Sequence, residues 1–193
     1  MYYKDINMEL FIALHARGAK DHQLADFFGV SVATVKRRRK EHGLESNCPN
    51  NNKGQLGEQL VAEYFRQQGL EVTLPAKTGG PYDLLVNGLR VDVKVGRART
   101  TEDGPSYQFR LPVTRSSYHA SKTYGKNYGV DADLLALAVL KQDELVHLYL
   151  LPCNFWKPTI TVKPDSHDCD YRGFMDIHRV LEYVASTAPS GAA

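Results

Sequence analysis

Between Met8 and Leu44 the apolar residues recur at helical spacing. Leu10, Phe11 and Leu14 share one face, then Leu24, Phe27 and Phe28, then Val32 and Val35. Gly18, Gly29 and Gly43 separate these groups. Asp21 and Ser31 stand where N-caps are expected for the second and third helices, since each offers a side-chain oxygen to the open amides of a first turn. Three short helices are predicted. Residues 45–53, ESNCPNNNK, carry a proline and three consecutive asparagines with no apolar period, and read as a linker. Beyond it, Leu56, Leu60, Val61, Tyr64 and Phe65 form the stripe of an amphipathic helix over residues 55–68. Strand-like segments follow at 71–74, 82–86, 89–95, 107–113, 134–140 and 146–151, the later ones apolar enough to be central. A closing helix is expected over 174–185. The predicted organisation is a small all-α domain (1–44), a linker (45–53), an α/β domain with a mixed sheet flanked by helices (54–186) and a disordered tail (187–193).

The chain has 193 residues, and its 24 basic and 22 acidic side chains leave a net charge of only +2. No global positive field announces a nucleic-acid partner, so that argument rests on where the charges sit. Lys36, Arg37, Arg38, Arg39 and Lys40 form an unbroken basic run. Three cysteines without a CxxC pair argue against a disulfide framework and fit a reducing cytoplasm. The irregular spacing of Cys153, His167 and Cys169 argues against zinc. The first ten residues lack the features of a signal peptide and no apolar run is long enough to cross a bilayer, so a cytoplasmic protein without a membrane partner is expected.

Residues 21–44, DHQLADFFGVSVATVKRRRKEHGL, resemble a helix-turn-helix. Ala25 stands where the two helices touch, Gly29 supplies the turn, and Val35 anchors the second helix on the first. Arg38 departs from the motif, which usually keeps an apolar residue there. The resemblance implies DNA binding: Ala33, Thr34, Lys36 and Arg37 toward a major groove, Arg39 and Lys40 toward phosphates, and Ser31 as a DNA-binding residue at the helix start. The alternative is a solvated basic helix in a protein-interaction bundle.

In the second half, Pro81-Tyr82-Asp83 is followed by Asp92-Val93-Lys94, with Glu58 on the preceding helix. This set resembles the PD-(D/E)XK nuclease superfamily, in which an acid at a strand start meets an acid-x-lysine on the next strand. The likeness extends over residues 53–152, toward a branch that includes some homing endonucleases, with Holliday-junction resolvases similar in the first half. Homing relatives often carry glutamine where Asp92 stands. The spacing suits the chemistry. Alternation along a strand sends Val91, Val93 and Val95 to one face and Asp92 and Lys94 to the other, and Asn87-Gly88 is a hairpin signal that brings Asp83 alongside. Two carboxylates suit Mg²⁺, or Mn²⁺ in its place, with Asp83, Asp92 and Glu58 as metal ligands and Lys94 orienting the attacking water.

The expected function is therefore metal-dependent endonuclease cleavage of DNA, by a homodimer if both strands are cut. Its rivals are a DNA-binding regulator on an inactive nuclease fold and a junction resolvase. Lys122 and Lys126, interleaved with Tyr118, Tyr124 and Tyr128, either grip a DNA backbone or form an ordinary surface. Gln108 is either near the site or a hydrogen-bonding residue at a sheet edge.

Overall fold

In the computed structural model, which describes residues 6–75, 80–102, 104–116 and 123–187, the chain divides into two compact units, Met1–Lys53 and Gly54–Ala193. In the first, helices α1 (Met8–Ala16), α2 (Asp21–Phe28) and α3 (Val32–Glu41) bury Phe11, Leu24, Ala25 and Val35 against one another. The caps explain where these helices start. Asn7 accepts the Leu10 amide through its side chain at 3.0 Å, and Ser31 accepts the Thr34 amide at 3.1 Å. Gly29 closes α2 in the left-handed conformation, φ 60°. Asp21 does not cap α2 as its position suggested. It is the first helical residue, Lys20 is the cap, and the Gln23 side chain accepts the Lys20 amide at 2.8 Å.

The stretch read as a linker is ordered at both ends. Asn47 Nδ2 donates to the carbonyls of His15 (2.6 Å) and Ala19 (3.1 Å), fastening it to the end of α1. Residues 49–53 are already helical, because α4 runs Pro49–Gln67 and the Asn52 amide reaches the Cys48 carbonyl at 3.1 Å. A proline at the first helical position loses no hydrogen bond, so the composition that argued for a linker also permits a helix start.

After α4 come strands β1 (Val72–Thr73), β2 (Leu84–Val86), β3 (Leu89–Val95), β4 (Arg97–Thr101), β5 (Gly104–Arg110), β6 (Thr114–Ser116) and β7 (Thr123–Gly125). A short helix α5 (Tyr128–Asp131) leads to β8 (Leu134–Lys141), β9 (Glu144–Pro152), β10 (Thr159–Val162) and the last helix α6 (Ile177–Thr187). Phe174 precedes α6 in a tight turn rather than opening it, because Asp176 caps the helix by accepting the Arg179 amide at 3.1 Å. Thr187, assigned to the tail, still belongs to α6.

The main sheet has the order β1-β2-β3-β8-β9, with β3 and β8 parallel and every other pair antiparallel, so it is mixed as expected. Its two faces are both covered. Val61, Ala62 and Phe65 of α4 and Ile177 and Val180 of α6 pack on Val91, Val93, Leu134 and Ala136. Leu135, Leu137 and Val139 face the other way, onto Phe109, Ile160 and Val162 of a second sheet ordered β10-β5-β4. Burial on both sides explains the near-continuous apolar sequence of β8.

One polar fork sets the parallel pairing. Asp133, just before β8, accepts the Arg90 amide at 2.8 Å and two guanidinium bonds at 3.1 and 2.7 Å, and its own amide reaches the Arg90 carbonyl at 2.8 Å. Burial alone would raise the Asp133 carboxyl, but these bonds from Arg90 hold it below the usual range.

Candidate active site

Asn87 and Gly88 both take positive φ, 48° and 81°, as a two-residue hairpin requires, and set the register Leu84↔Val91 and Val86↔Leu89. That register brings Asp83 to the middle of β3. Its amide donates to the Val91 carbonyl at 2.9 Å, and its Oδ2 accepts the Val93 amide at 2.8 Å. Val91 and Val93 are buried on the helix side, so Asp92 and Lys94 point to the opposite face, as alternation predicts.

Asp92 is only 1 % exposed. Its Oδ1 bonds the Lys94 ammonium and its Oδ2 bonds the Lys126 ammonium, so one buried carboxylate holds two cations. Lys94 also donates to the Val93 carbonyl at 3.1 Å. Lys126, expected either at a DNA backbone or on an ordinary surface, reaches inward to a partner 34 residues away. Its amide bonds the Val113 carbonyl at 2.8 Å, and its ammonium lies 4.7 Å from the centre of the Tyr128 ring. Tyr128 is buried, stacked on Trp156 at 5.5 Å between ring centres, with its hydroxyl on the Pro112 carbonyl at 3.3 Å. Burial, reinforced by the charge of Asp92, pushes that phenol far above its ordinary value. Lys122 and Tyr118 lie outside the described residues.

Glu58 comes from α4. The preceding residue, Gly57, packs against Val95 so closely that a Cβ there would overlap a valine methyl. This contact seats the helix on β3 and sets Glu58 beside it. Burial first, then the charge of Asp83, raises the Glu58 carboxyl to about 7; Asp92 adds to the rise and Lys94 opposes it. Burial likewise raises Asp83, with Lys94 opposing, Asp92 adding, and the Val93 amide opposing. Three carboxylates and two ammonium groups thus share one desolvated region, and the carboxylates respond to one another's charge.

A divalent cation would relieve that repulsion. Among the described residues no group of three or more His, Cys, Asp or Glu side chains is placed to hold a metal ion, Glu58, Asp83 and Asp92 included. Mg²⁺ and Mn²⁺ suit an open arrangement, since one or two carboxylates hold the ion while water and phosphate oxygens complete the shell. Asp83 and Glu58 have the carboxylate chemistry such an ion takes, while both oxygens of Asp92 are occupied by ammonium groups. Burial, aided by the Asp92 and Asp133 charges, pushes the Cys153 thiol up to about 12.

The first unit distributes its cations differently. Lys36, Arg37 and Lys40 are exposed on α3. Arg39, expected to reach phosphates, is turned inward: it forks onto Asp21 at 2.6 and 3.1 Å and donates to the Leu44 carbonyl at 2.9 Å. Arg38 pairs with Glu41 at 2.9 Å, yet its Nε is buried without an acceptor, a consequence of placing arginine where the helix pair has an apolar position. Ser31 and Thr34 bond each other through their hydroxyls at 2.9 Å.

Gln108 lies on β5, the middle strand of the second sheet, where it accepts a bond from Arg99 at 2.7 Å. Sequence reasoning missed Gly57, the Lys126–Asp92 bond and the Tyr128–Trp156 stack. A glycine directly before the helix glutamate was the one local signal available.

Among the described residues no helix is long and apolar enough to cross a membrane. No protein-family profile and no curated protein sequence matches the chain. Among solved structures it is similar to a bacterial homing endonuclease, I-Ssp6803I, with a TM-score of 0.54 and 19 % identity over 72 % of this chain and 97 % of that one. At that identity the likeness establishes a shared α/β fold.

Proposed function

We propose that this chain is a metal-dependent DNA endonuclease. The observation that carries the reading is the convergence of Asp83, Asp92 and Lys94 on one face of a two-strand hairpin, with Glu58 brought beside them by the Gly57 contact. The fold shared with a homing endonuclease supports it, because that protein's described activity is DNA cleavage.

Asp83, Glu58 and Asp92 would hold Mg²⁺ or Mn²⁺. Bound there, the ion supplies charge stabilisation at the scissile phosphate and acidifies a water. The chain's own groups do the rest. The Val93 amide fixes the Asp83 carboxylate in orientation, so its second oxygen is presented at a defined angle. Lys94 donates to Asp92 and to the Val93 carbonyl; when a phosphate enters, the same ammonium can turn a donor toward it or toward the attacking water. Burial and the charge of Asp83 raise the Glu58 carboxyl to about 7 without an ion, and a bound cation would draw it into the ionised, ligating form. Lys126 neutralises Asp92 before DNA arrives and is a second cation available to the phosphate.

The three-helix unit is assigned to targeting, with Lys36, Arg37 and Lys40 as phosphate contacts and Ser31 and Thr34 at the helix start. Two copies related by a two-fold axis would cut both strands, and light scattering of the protein on DNA tests that pairing.

The deciding experiment is cleavage of duplex, four-way-junction and single-stranded DNA in Mg²⁺, Mn²⁺ or chelator. Cutting of duplex in either metal, lost in chelator and in Asp83→Asn, is the expected outcome. Undiminished cutting in chelator overturns the reading. Preference for the junction would make the protein a resolvase, and absence of cutting on every substrate would leave a DNA-binding fold without activity.

A further inference from the structure

The second sheet of the α/β unit carries cations that the proposed active site does not use. Strand β4 reads RARTT, and all five residues are exposed, so this edge strand is open on both faces. Register with β5 places Arg97 opposite Gln108, and register of β5 with β10 places Gln108 opposite Thr161 and Arg110 opposite Thr159. Residues paired directly across strands point to the same side. Arg97, Arg99, Gln108, Arg110, Thr159 and Thr161 therefore share one face. The opposite face, with Phe109, Ile160 and Val162, is buried against the main sheet.

Three features mark this outer face. Strands β4, β5 and β10 contain no acidic residue. None of Arg97, Arg99 and Arg110 pairs with a carboxylate among the described residues. The Arg99 guanidinium donates to Gln108 Oε1 at 2.7 Å, so the amide group of Gln108 and the remaining guanidinium donors are held side by side. Arginines on an edge strand also discourage edge-to-edge pairing, but that need does not explain Arg110 and the Arg99–Gln108 pair, which involve the middle strand.

We infer that this face is a DNA-reading surface that lies in the major groove beside the cleavage site. The inference rests on the endonuclease reading for the identity of its ligand as duplex DNA. Chain connectivity gives the placement: β3, which bears Asp92 and Lys94, passes through the single residue Gly96 into β4 and Arg97. Gly96 sits tightly on Phe109, where a Cβ would come within 2.8 Å of the ring, so the turn from one sheet to the other is closely packed. The edge strand β4 and its neighbour β5, about 4.8 Å apart, are the two strands that fit a groove about 12 Å wide, with β10 and its threonines at the groove's rim. Arg97 and Arg110 have the chemistry of phosphate contacts. Arg99 and Gln108 have that of base readers, since arginine matches the guanine edge and glutamine the adenine edge.

The test uses the full chain. Fluorescence anisotropy on one duplex in chelator, across a salt series, measures binding without cleavage; sequencing the products from a randomised duplex library in Mg²⁺ measures base choice. Arg97→Gln and Arg110→Gln are expected to lower affinity and reduce the salt slope by about one unit each. Arg99→Lys keeps the charge and the slope but should lose about tenfold in discrimination at one or two base positions, as should Gln108→Ala. Unchanged affinity, slope and base choice in all four variants, with wild-type protein cutting normally, overturns the inference and leaves the endonuclease reading standing. A wild-type protein that binds but does not cut, with variant binding altered as described, does the reverse.

Discussion

Asp92 in the α/β unit and Asp21 in the helical unit each draw inward a cation that the sequence offered to DNA, and the two sites differ in charge balance. Asp21 meets one arginine in a fork, with side chains 14 % and 12 % exposed, and the Leu44 carbonyl takes a further guanidinium donor. That pair is closed: equal charges, matched geometry, and the segment after α3 fastened to that helix. Asp92 meets two ammonium groups while Asp83 and Glu58 bring two more carboxylates, both raised by burial and by their neighbours. This second cluster is unbalanced, and an unbalanced desolvated cluster is suited to receiving a ligand. A buried ion pair by itself therefore says little about function, whereas surplus charge of one sign beside it says more.

The sharpest break in this comparison is catalytic. Asp83→Asn and Lys94→Met are expected to lower single-turnover cleavage by about 10³-fold or more while leaving the melting temperature close to wild type. The corresponding change in the helical unit, Arg39→Ala, should leave the rate of bound complexes unchanged. Loss of cleavage in Arg39→Ala at saturating protein would dissolve the distinction.

Next in size is stability. Asp92→Ala takes from Lys94 and Lys126 the buried carboxylate that each bonds, and should cost about 3–5 kcal/mol by urea denaturation. Arg39→Ala should cost about 2 kcal/mol, because it removes charged hydrogen bonds from a largely buried carboxylate. Equal stability of Asp92→Ala and wild type would mean that the lysines turn readily to solvent.

Much of this was legible in the chain and some was not, for reasons that can be assigned. The β2–β3 hairpin was readable because alternation and an Asn-Gly turn are local signals, and they set Asp83, Asp92 and Lys94 together. Lys126 was not, since its partner is 34 residues away and its local surroundings look like any basic, tyrosine-rich surface. Arg39 was misread for the same reason, with Asp21 18 residues distant. Strand β4 escaped because a strand exposed on both faces has no apolar period to find. The start of α4 escaped because three asparagines are poor helix formers, and proline marks a helix start only when helical residues follow.

A smaller effect separates the basic helix from the fork beside it. Lys36→Gln and Lys40→Gln are each expected to flatten the salt dependence of DNA binding by about one unit with no change in melting temperature. Arg39→Ala should do the opposite, shifting the melt and sparing the slope. Salt slopes unaffected by either lysine would assign α3 to protein contacts.

The smallest expected signal is in pH. Glu58 is raised from its ordinary 4.5 to about 7, so its protonated form is favoured in the folded state. Its contribution to stability is complete below 4.5 and is lost as pH rises through about 7. In chelator the urea midpoint should fall across that window, and Glu58→Gln should flatten the fall. An unchanged pH profile in Glu58→Gln would place the carboxylate in solvent, outside the cluster.

The Arg90–Asp133 fork bears on how the chain folds. β3 and β8 are parallel neighbours, yet β4 and β5 of the second sheet, the β6–β7 pair and α5 lie between them along the chain. Bringing such distant strands together is slow, and apolar residues alone select the register weakly when both faces of β8 are apolar. A slip of one position would send Asp92 into the aliphatic layer under α4. The fork stands just before the first rung of the parallel ladder, where misalignment would part a guanidinium and a carboxylate that are matched in the correct register. It thereby makes correct alignment of the catalytic strand a condition for closing the sheet.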